Sequence, residues 1–185
     1  MEKKMSNGFI LKRLNECYIQ KTTASFYCDK TDNQVHLTGI VTCFNDQELL
    51  ISHITRRGEY DGFIWVRLDD LYRIDRNGSY EKKIERLYKS KRQIHTDTDF
   101  ESNDILRQLL CFANENKYIV SLELEEDMIV GFVDRCDENG VEISQVNDYG
   151  EKDGITVVSF DELINVKCDS DYEQDLKLLF ELNYR

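Results

Sequence analysis

Amphipathic helices and short alternating strands occur twice along this chain, in the same order. Apolar residues spaced three and four apart predict four helices, one at the start and one at the end of each half. Their apolar faces are Ile10, Leu14, Cys17 and Tyr18; Tyr80, Ile84, Leu87 and Tyr88; Ile105, Leu106, Leu109, Leu110 and Ala113; Tyr172, Leu176, Leu179 and Phe180. Thr98 with Glu101, and Ser170 with Glu173, predict capping boxes ahead of the third and fourth helices.

Between the helices of each half, the pattern predicts five short strands. The predicted strands are 26–28, 35–44, 49–54, 62–68 and 71–74, and then 118–120, 130–136, 141–146, 154–160 and 163–166. Asn45-Asp46 and Asn139-Gly140 supply turn residues before each third strand. A glycine inside each second strand predicts a sharp bend or bulge, as small barrels require.

The two halves also match in sequence. A shift of 92 residues aligns fourteen identities without a gap from Gly39/Gly131 to Leu87/Leu179. The matches include the hairpin segments 58–62 and 150–154. An internal repeat of this length predicts two domains, residues 1–92 and 93–185, which join near residues 92–100.

The bent second strand and the alternating third strand carry a family resemblance. Gly39-Ile40-Val41 with Leu49-Leu50-Ile51, and Gly131-Phe132-Val133 with Val141-Glu142-Ile143, resemble the first motif of Sm-like proteins. The resemblance implies a mainly β fold with flanking helices (α+β), made of two tandem small Sm-like or SH3-like antiparallel barrels. Each barrel would be preceded and followed by a helix. The segments 58–62 and 68–71, with their counterparts 150–154 and 160–163, also resemble uncharacterised bacterial proteins.

Sm-like proteins bind RNA through loops, and here the sequence departs from the family. The Arg-Gly pair of the second Sm motif is replaced by Arg67-Leu68-Asp69-Asp70 and by Ser159-Phe160-Asp161-Glu162. Carboxylates at that loop would repel phosphate. The substitution argues against RNA binding at this site, most strongly in the second half.

Composition excludes further classes. The chain has 185 residues, no proline, 41% hydrophobic residues and a formal net charge of -12. This apolar content supports packed cores, and no apolar run approaches the ~20 residues that span a bilayer. The polar residues 1–7 are unlike a signal peptide. We therefore expect a cytoplasmic protein without membrane association.

Charge is distributed unevenly between the halves. Residues 1–92 hold 17 basic and 13 acidic side chains, whereas residues 93–185 hold 7 and 23. The net charges are therefore +4 and -16. Opposite charges favour different partners for the two halves, or attraction between opposite halves of two copies. Two drifted solvated surfaces would give the same pattern.

The basic half supplies the predicted binding residues, which are Arg56, Arg57, Tyr60, Trp65 and Arg67. Packing inside the core or between barrels is the competing interpretation of Trp65. A metal site is a second hypothesis for the repeated hairpin, with carboxylate ligands from Glu59, Asp61, Glu151 and Asp153. The Asp-Gly pairs explain the same spacing as a plain hairpin, which we favour.

No signal for an enzyme stands out. Ser52 and His53 are adjacent in a strand and would point to opposite faces. The six cysteines form no Cys-x-x-Cys pair, which is typical of small core residues without disulfides. We predict a non-catalytic binding or adaptor protein, without cofactor, that binds protein partners through barrel loops or associates with itself. The alternative is RNA or DNA binding by the basic half.

Overall fold

The computed structural model describes residues 8–32, 34–96 and 98–185. The polar residues 1–7, and Asp97 in the segment predicted to join the two halves, lie outside the described residues. The elements of the first half are α1 (Gly8–Gln20), β1 (Ala24–Tyr27), β2 (Leu37–Phe44), β3 (Glu48–Ile54), β4 (Tyr60–Arg67), β5 (Arg73–Arg76) and α2 (Ser79–Ser90). Those of the second half are α3 (Ile105–Asn116), β6 (Ile119–Glu123), β7 (Met128–Cys136), β8 (Gly140–Val146), β9 (Lys152–Ser159), β10 (Asn165–Cys168) and α4 (Asp171–Asn183).

All ten strands belong to one antiparallel sheet. Their order is β5-β1-β2-β3-β4-β10-β6-β7-β8-β9, so the two halves meet where β4 pairs with β10. The prediction of a mainly β fold with flanking helices is confirmed. In the described residues this sheet is open and continuous through the junction, with β5 and β9 at its edges, so it does not show two separate closed barrels. Each unpaired edge carries backbone groups that can accept another strand.

The strand glycines occupy the predicted bends. A Cβ on Gly39 would lie 2.2 Å from the carbonyl oxygen of Ser52, and one on Gly131 equally close to that of Ser144. The backbones of adjacent strands can therefore approach this closely only at glycine. A β-bulge follows in each half, at Thr42 and at Asp134, as the shifts in strand register show.

Two apolar cores lie on opposite faces of the central strands. Leu49, Ile51, Ile64 and Val66 pack into the first core, under α1. The alternate residues of the same strands pack into the second core with α3, namely Leu50, Phe63 and Trp65. Strands β3 and β4 are thus buried on both faces, whereas β9 is mostly exposed.

Some predicted boundaries are wrong. The fifth strands begin two residues later than predicted, because one turn of 3-10 helix, Leu68–Asp70 or Phe160–Glu162, comes first. Strand β6 extends to Glu123. Ala24 pairs with Gly39 and Val120 pairs with Gly131, so the structural counterpart of Ala24 is Val120 and not Asn116. Before the second strands, residues of the two halves therefore correspond by a shift of 96 positions instead of 92. Lys21 and Lys117, both with positive φ, agree with that shift.

The predicted capping boxes have different outcomes. The box of Ser170 and Glu173 is confirmed at the start of α4. The box of Thr98 and Glu101 is wrong, because α3 begins only at Ile105 and its first amides are bound by a residue of the other half.

No helix among the described residues is long and apolar enough to cross a membrane.

Candidate functional site: the junction of the two halves

The junction is built on the pairing of β4 with β10. Val66, Trp65, Ile64 and Phe63 lie opposite Asn165, Val166, Lys167 and Cys168, respectively. Phe63 and Trp65 are 0% and 3% exposed, because they face α3 and the second core. The first half therefore contributes part of the core of the second.

Glu48 holds the start of α3 across this junction. Its carboxylate accepts hydrogen bonds from the amides of Ile105 (3.1 Å) and Leu106 (2.9 Å) and from the indole N–H of Trp65 (3.0 Å). Asn45 donates to the same carboxylate and to the carbonyl of Ser102. A negative charge at this end of the helix also complements its dipole.

Asp61 performs the corresponding role at α4. One carboxylate oxygen accepts the amide N–H of Asp171 at 2.9 Å, and the other contacts Nδ1 of His53 at 2.7 Å. Burial, the largest single influence, would raise the pKa of Asp61, but the two hydrogen bonds together with the nearby positive charge of Lys167 lower it overall. Asp61 is thus a charged cap supplied by one half to a helix of the other.

Tyr60 and Gly62 bring the two backbones together beside this cap. The phenol of Tyr60 donates a hydrogen bond to the carboxylate of Asp169 at 2.5 Å. Burial, and to a smaller extent this hydrogen bond, raises the pKa of Tyr60. A Cβ on Gly62, whose φ is +66°, would lie 2.2 Å from the carbonyl oxygen of Cys168. The strand pairing at this end therefore requires glycine.

The predicted binding residues fall into two groups. Tyr60, Trp65 and Arg67 all lie in the junction, where the guanidinium of Arg67 donates to the carbonyls of Phe160 (2.9 Å) and Asp161. Trp65 is the packing residue that the competing interpretation expected. Arg56 and Arg57 are exposed.

The carboxylates proposed as metal ligands have other partners in the first half. Glu59 forms ion pairs with Lys91 (2.6 Å) and Arg57 (3.4 Å), and Asp61 is the cap of α4. Glu151 and Asp153 are exposed on the second hairpin. Within the described ranges, no group of three or more His, Cys, Asp or Glu side chains could hold a metal ion.

A cleft of about 460 Å³ lies beside the junction. Arg56 and Lys167 line it together with Asp61 and Asp171, so its fixed charges balance. The basic residues of α2 lie elsewhere, along a shallow groove with Lys82, Lys83 and Arg86.

His95 lies in the segment predicted to join the two halves, and it is a packing residue of the junction. Its ring stacks on Tyr88 and lies 4.7 Å from that of Tyr60. Nδ1 accepts the Tyr88 hydroxyl and Nε2 donates to the carbonyl of His53, both at 2.7 Å. This assignment of donor and acceptor requires the neutral ring. Burial, the largest influence, lowers the pKa of His95 to about 4.

We expect His95 to make the stability of the chain dependent on pH. Its pKa is about 4 when folded and about 6.5 when unfolded, so only the unfolded chain gains this proton as pH falls from 6.5 towards 4. The free energy of unfolding should fall by about 2.5 kcal/mol between pH 7.5 and 4.5 from this group. Urea unfolding of the wild type and of His95→Gln at both pH values measures it.

The matched control is His36→Gln, a half-buried histidine outside the linker. This variant should keep the pH dependence of the wild type, whereas His95→Gln should lose about 2.5 kcal/mol of it. Equal pH dependence in all three proteins would contradict the assignment.

The counterpart of β4 in the second half is β9, which pairs with β8 on one side and has no partner strand among the described residues on the other. Ile155 and Val157, which correspond to Phe63 and Trp65, are 69% and 70% exposed. Gly154, the counterpart of Gly62, has open space where a Cβ would be. The apolar residues and the glycine of the junction therefore recur on β9, where the described part of the chain leaves them largely exposed.

The contact between the start of α3 and the first half also has counterparts that are unpaired within the described ranges, which are a groove on the second half and the start of α1. Residues Arg135, Asp137 and Gly140 correspond to Cys43, Asn45 and Glu48, which hold residues 101–106, and they line an open groove of about 580 Å³. At the other end of the chain, Phe9 corresponds to Ile105. Phe9 is 88% exposed and Ile105 is fully buried.

No protein-family profile matches this chain, and a comparison with curated proteins finds no match. The junction and its open counterpart are therefore the features of the molecule that bear on function.

Proposed function

We propose that this chain is a self-associating binding protein in which β9 of one copy pairs with β5 of the next. We further propose that each half is a bent, Sm-like barrel unit of a tandem duplication, joined to its neighbour by edge strands. The observation that carries the proposal is the pairing of β4 with β10 inside the chain. Since that contact joins two different edges, its repetition between copies gives a closed ring or an open filament.

The register of β4 against β10 predicts the register of β9 against β5 of the next copy. Replacing each residue of the internal pairs by its counterpart 92 positions away places Val157 opposite Ile74 of the next copy and Ile155 opposite Arg76. Val157 and Ile74 are both apolar, and cross-strand pairs of this kind stabilise a sheet. The strand addition would remove the two exposed residues of β9 from water.

The helix α1 of the next copy fits the open groove. Its start corresponds to the start of α3, so Phe9 would enter the groove at 135–159 as Ile105 enters the first half. Burying a phenylalanine side chain contributes roughly 2–3 kcal/mol. Phe9, Ile155 and Val157 would then be buried by one contact.

The start of α2 offers a third point of contact. Its first residue, Ser79, corresponds to Asp171, and no side chain caps α2 within the described chain. Asp153 corresponds to Asp61 and is exposed. In the assembly, the Asp153 carboxylate of one copy accepts the Ser79 amide of the next.

Charge and capping set the strength of the contact. The acidic second half of one copy meets the basic first half of the next, which accelerates association and disfavours like-to-like pairing. Gly140, however, replaces Glu48 and cannot cap the incoming α1. The contact between copies is therefore weaker than the junction within the chain.

Binding of nucleic acid by the basic half stays a prediction.

A mixing experiment tests the head-to-tail geometry. Phe9→Asp blocks the α1 side of a copy and Val157→Asp blocks the β9 side. We expect each variant alone to sediment as a monomer at concentrations where the wild type associates. An equimolar mixture should form a dimer of the two variants and nothing larger, because one compatible pair of edges remains.

Other sedimentation results overturn the proposal. A mixture that stays monomeric contradicts the pairing of these two edges. A Phe9→Asp protein that still associates alone shows that β9 pairs with β9 or that another surface is used. A wild type that remains monomeric at several hundred micromolar concentration excludes self-association as the function.

A further inference from the structure

Two cysteines of the second half lie side by side at the surface. Sγ of Cys111, on α3, is 3.8 Å from Sγ of Cys136, at the end of β7. Cys111 is exposed and Cys136 is half-buried, whereas Cys17, Cys43 and Cys168 are buried. The pair therefore combines proximity with access for a reagent, which the buried thiols lack.

The backbone on both sides of the pair is held in place. Asn114, one turn after Cys111, donates to the carbonyls of Val133 and Asp134, both at 2.8 Å. These bonds fix α3 to β7 at the bulge, just before Cys136. An S–S bond is about 2.05 Å long, so the sulfur atoms must approach each other by rotation of the side chains.

We infer that Cys111 and Cys136 are a redox-active pair that forms a reversible intramolecular disulfide. The oxidant is a low-molecular-weight disulfide of the glutathione type. The exposed Cys111 thiolate attacks it, which forms a mixed disulfide and releases one thiolate. Cys136 then loses its proton, and its thiolate attacks Sγ of Cys111 to form the protein disulfide and release the second thiolate.

The electron balance of this exchange is complete. Two protein thiols lose two protons and two electrons, and the oxidant gains both to become two thiols.

The Cys136 thiol ionises less readily than an ordinary cysteine thiol. Burial and the adjacent Cys111 thiol raise the pKa of Cys136, and they outweigh Arg107, one turn before Cys111, which acts to lower it. The exposed partner thus reacts first and the half-buried one resolves the intermediate.

The consequence is a covalent tie between α3 and β7. The disulfide closes the chain from residue 111 to 136 and restricts the unfolded state. Because α3 also contacts the first half through Glu48, oxidation would fix the helix that joins the two halves. This inference is independent of the proposed self-association, since both thiols belong to one copy.

Incubation with oxidised and reduced glutathione at defined ratios tests the pair, at concentrations where the chain is monomeric. We expect loss of about 2 Da from the intact chain, and tryptic peptides 108–117 and 136–152 linked to each other. The oxidised protein should melt roughly 5–10 °C higher than the reduced protein. Dithiothreitol should reverse both changes.

Serine variants provide the controls. Cys111→Ser and Cys136→Ser should lose the linkage, and Cys28→Ser, which removes the other half-buried thiol, should keep it. Linked peptides absent from the oxidised wild type, or disulfides only between copies, would overturn the inference. So would equal oxidation of Cys111→Ser and Cys28→Ser.

Discussion

Val157→Asp should weaken self-association by at least about 100-fold in Kd. Val157 is 70% exposed in one copy, and its counterpart Trp65 is 3% exposed in the internal junction. In the proposed contact an aspartate would place its charge between paired strands, beside Ile74 of the next copy. An unpaired charge there costs several kcal/mol, and each 1.4 kcal/mol is about tenfold in Kd. Sedimentation equilibrium across a concentration series measures the change.

The matched control is Leu178→Asp on α4. Leu178 is also exposed, at 52%, but its counterpart Arg86 stays exposed beside the internal junction. This variant should associate like the wild type, and both variants should melt within a few degrees of it because neither side chain is buried in one copy. Equal loss of association in the two variants would show a general effect of added charge.

Glu48→Ala should lower the free energy of unfolding by about 3–5 kcal/mol. The substitution removes the acceptor for two helix amides and for the indole of Trp65. Loss of a helix cap costs about 1 kcal/mol, and each buried donor left unpaired costs roughly 1–3 kcal/mol. Chemical denaturation measures the loss, and faster hydrogen exchange at the start of α3 should locate it.

Two further variants separate the explanations for such a loss. Glu48→Gln keeps one acceptor oxygen and should lose less than Glu48→Ala. Glu138→Ala removes an exposed carboxylate from the equivalent turn of the second half and should cost under about 0.5 kcal/mol. If Glu48→Ala is as stable as Glu138→Ala, the carboxylate does not hold the junction.

Prediction of the elements from the pattern succeeded because each depends on nearby residues. The helical spacing, the box of Ser170 with Glu173 and the strand glycines act within a few residues or between adjacent strands. The fifth strands were displaced because Leu68–Asp70 forms a turn of 3-10 helix that no apolar period indicates.

Three of the five residues predicted to bind a partner lie in the junction. Tyr60, Trp65 and Arg67 were selected as binding residues, and they contact the other half of the same chain. Glu48 and His95 were missed, because their partners Leu106 and His53 are distant in sequence. One signal was available: Phe63 to Val66 is apolar throughout, which is typical of a strand buried on both faces.

The sequence by itself determined two similar halves, the order of their helices and strands, and an uneven charge. These properties follow from local spacing and composition, which each residue carries wherever the chain folds. Only the tertiary structure decided that β4 pairs with β10 while β9 and β5 stay open. Backbone hydrogen bonds are alike in every strand, so the choice of partner depends on which edges and apolar surfaces three-dimensional packing brings together.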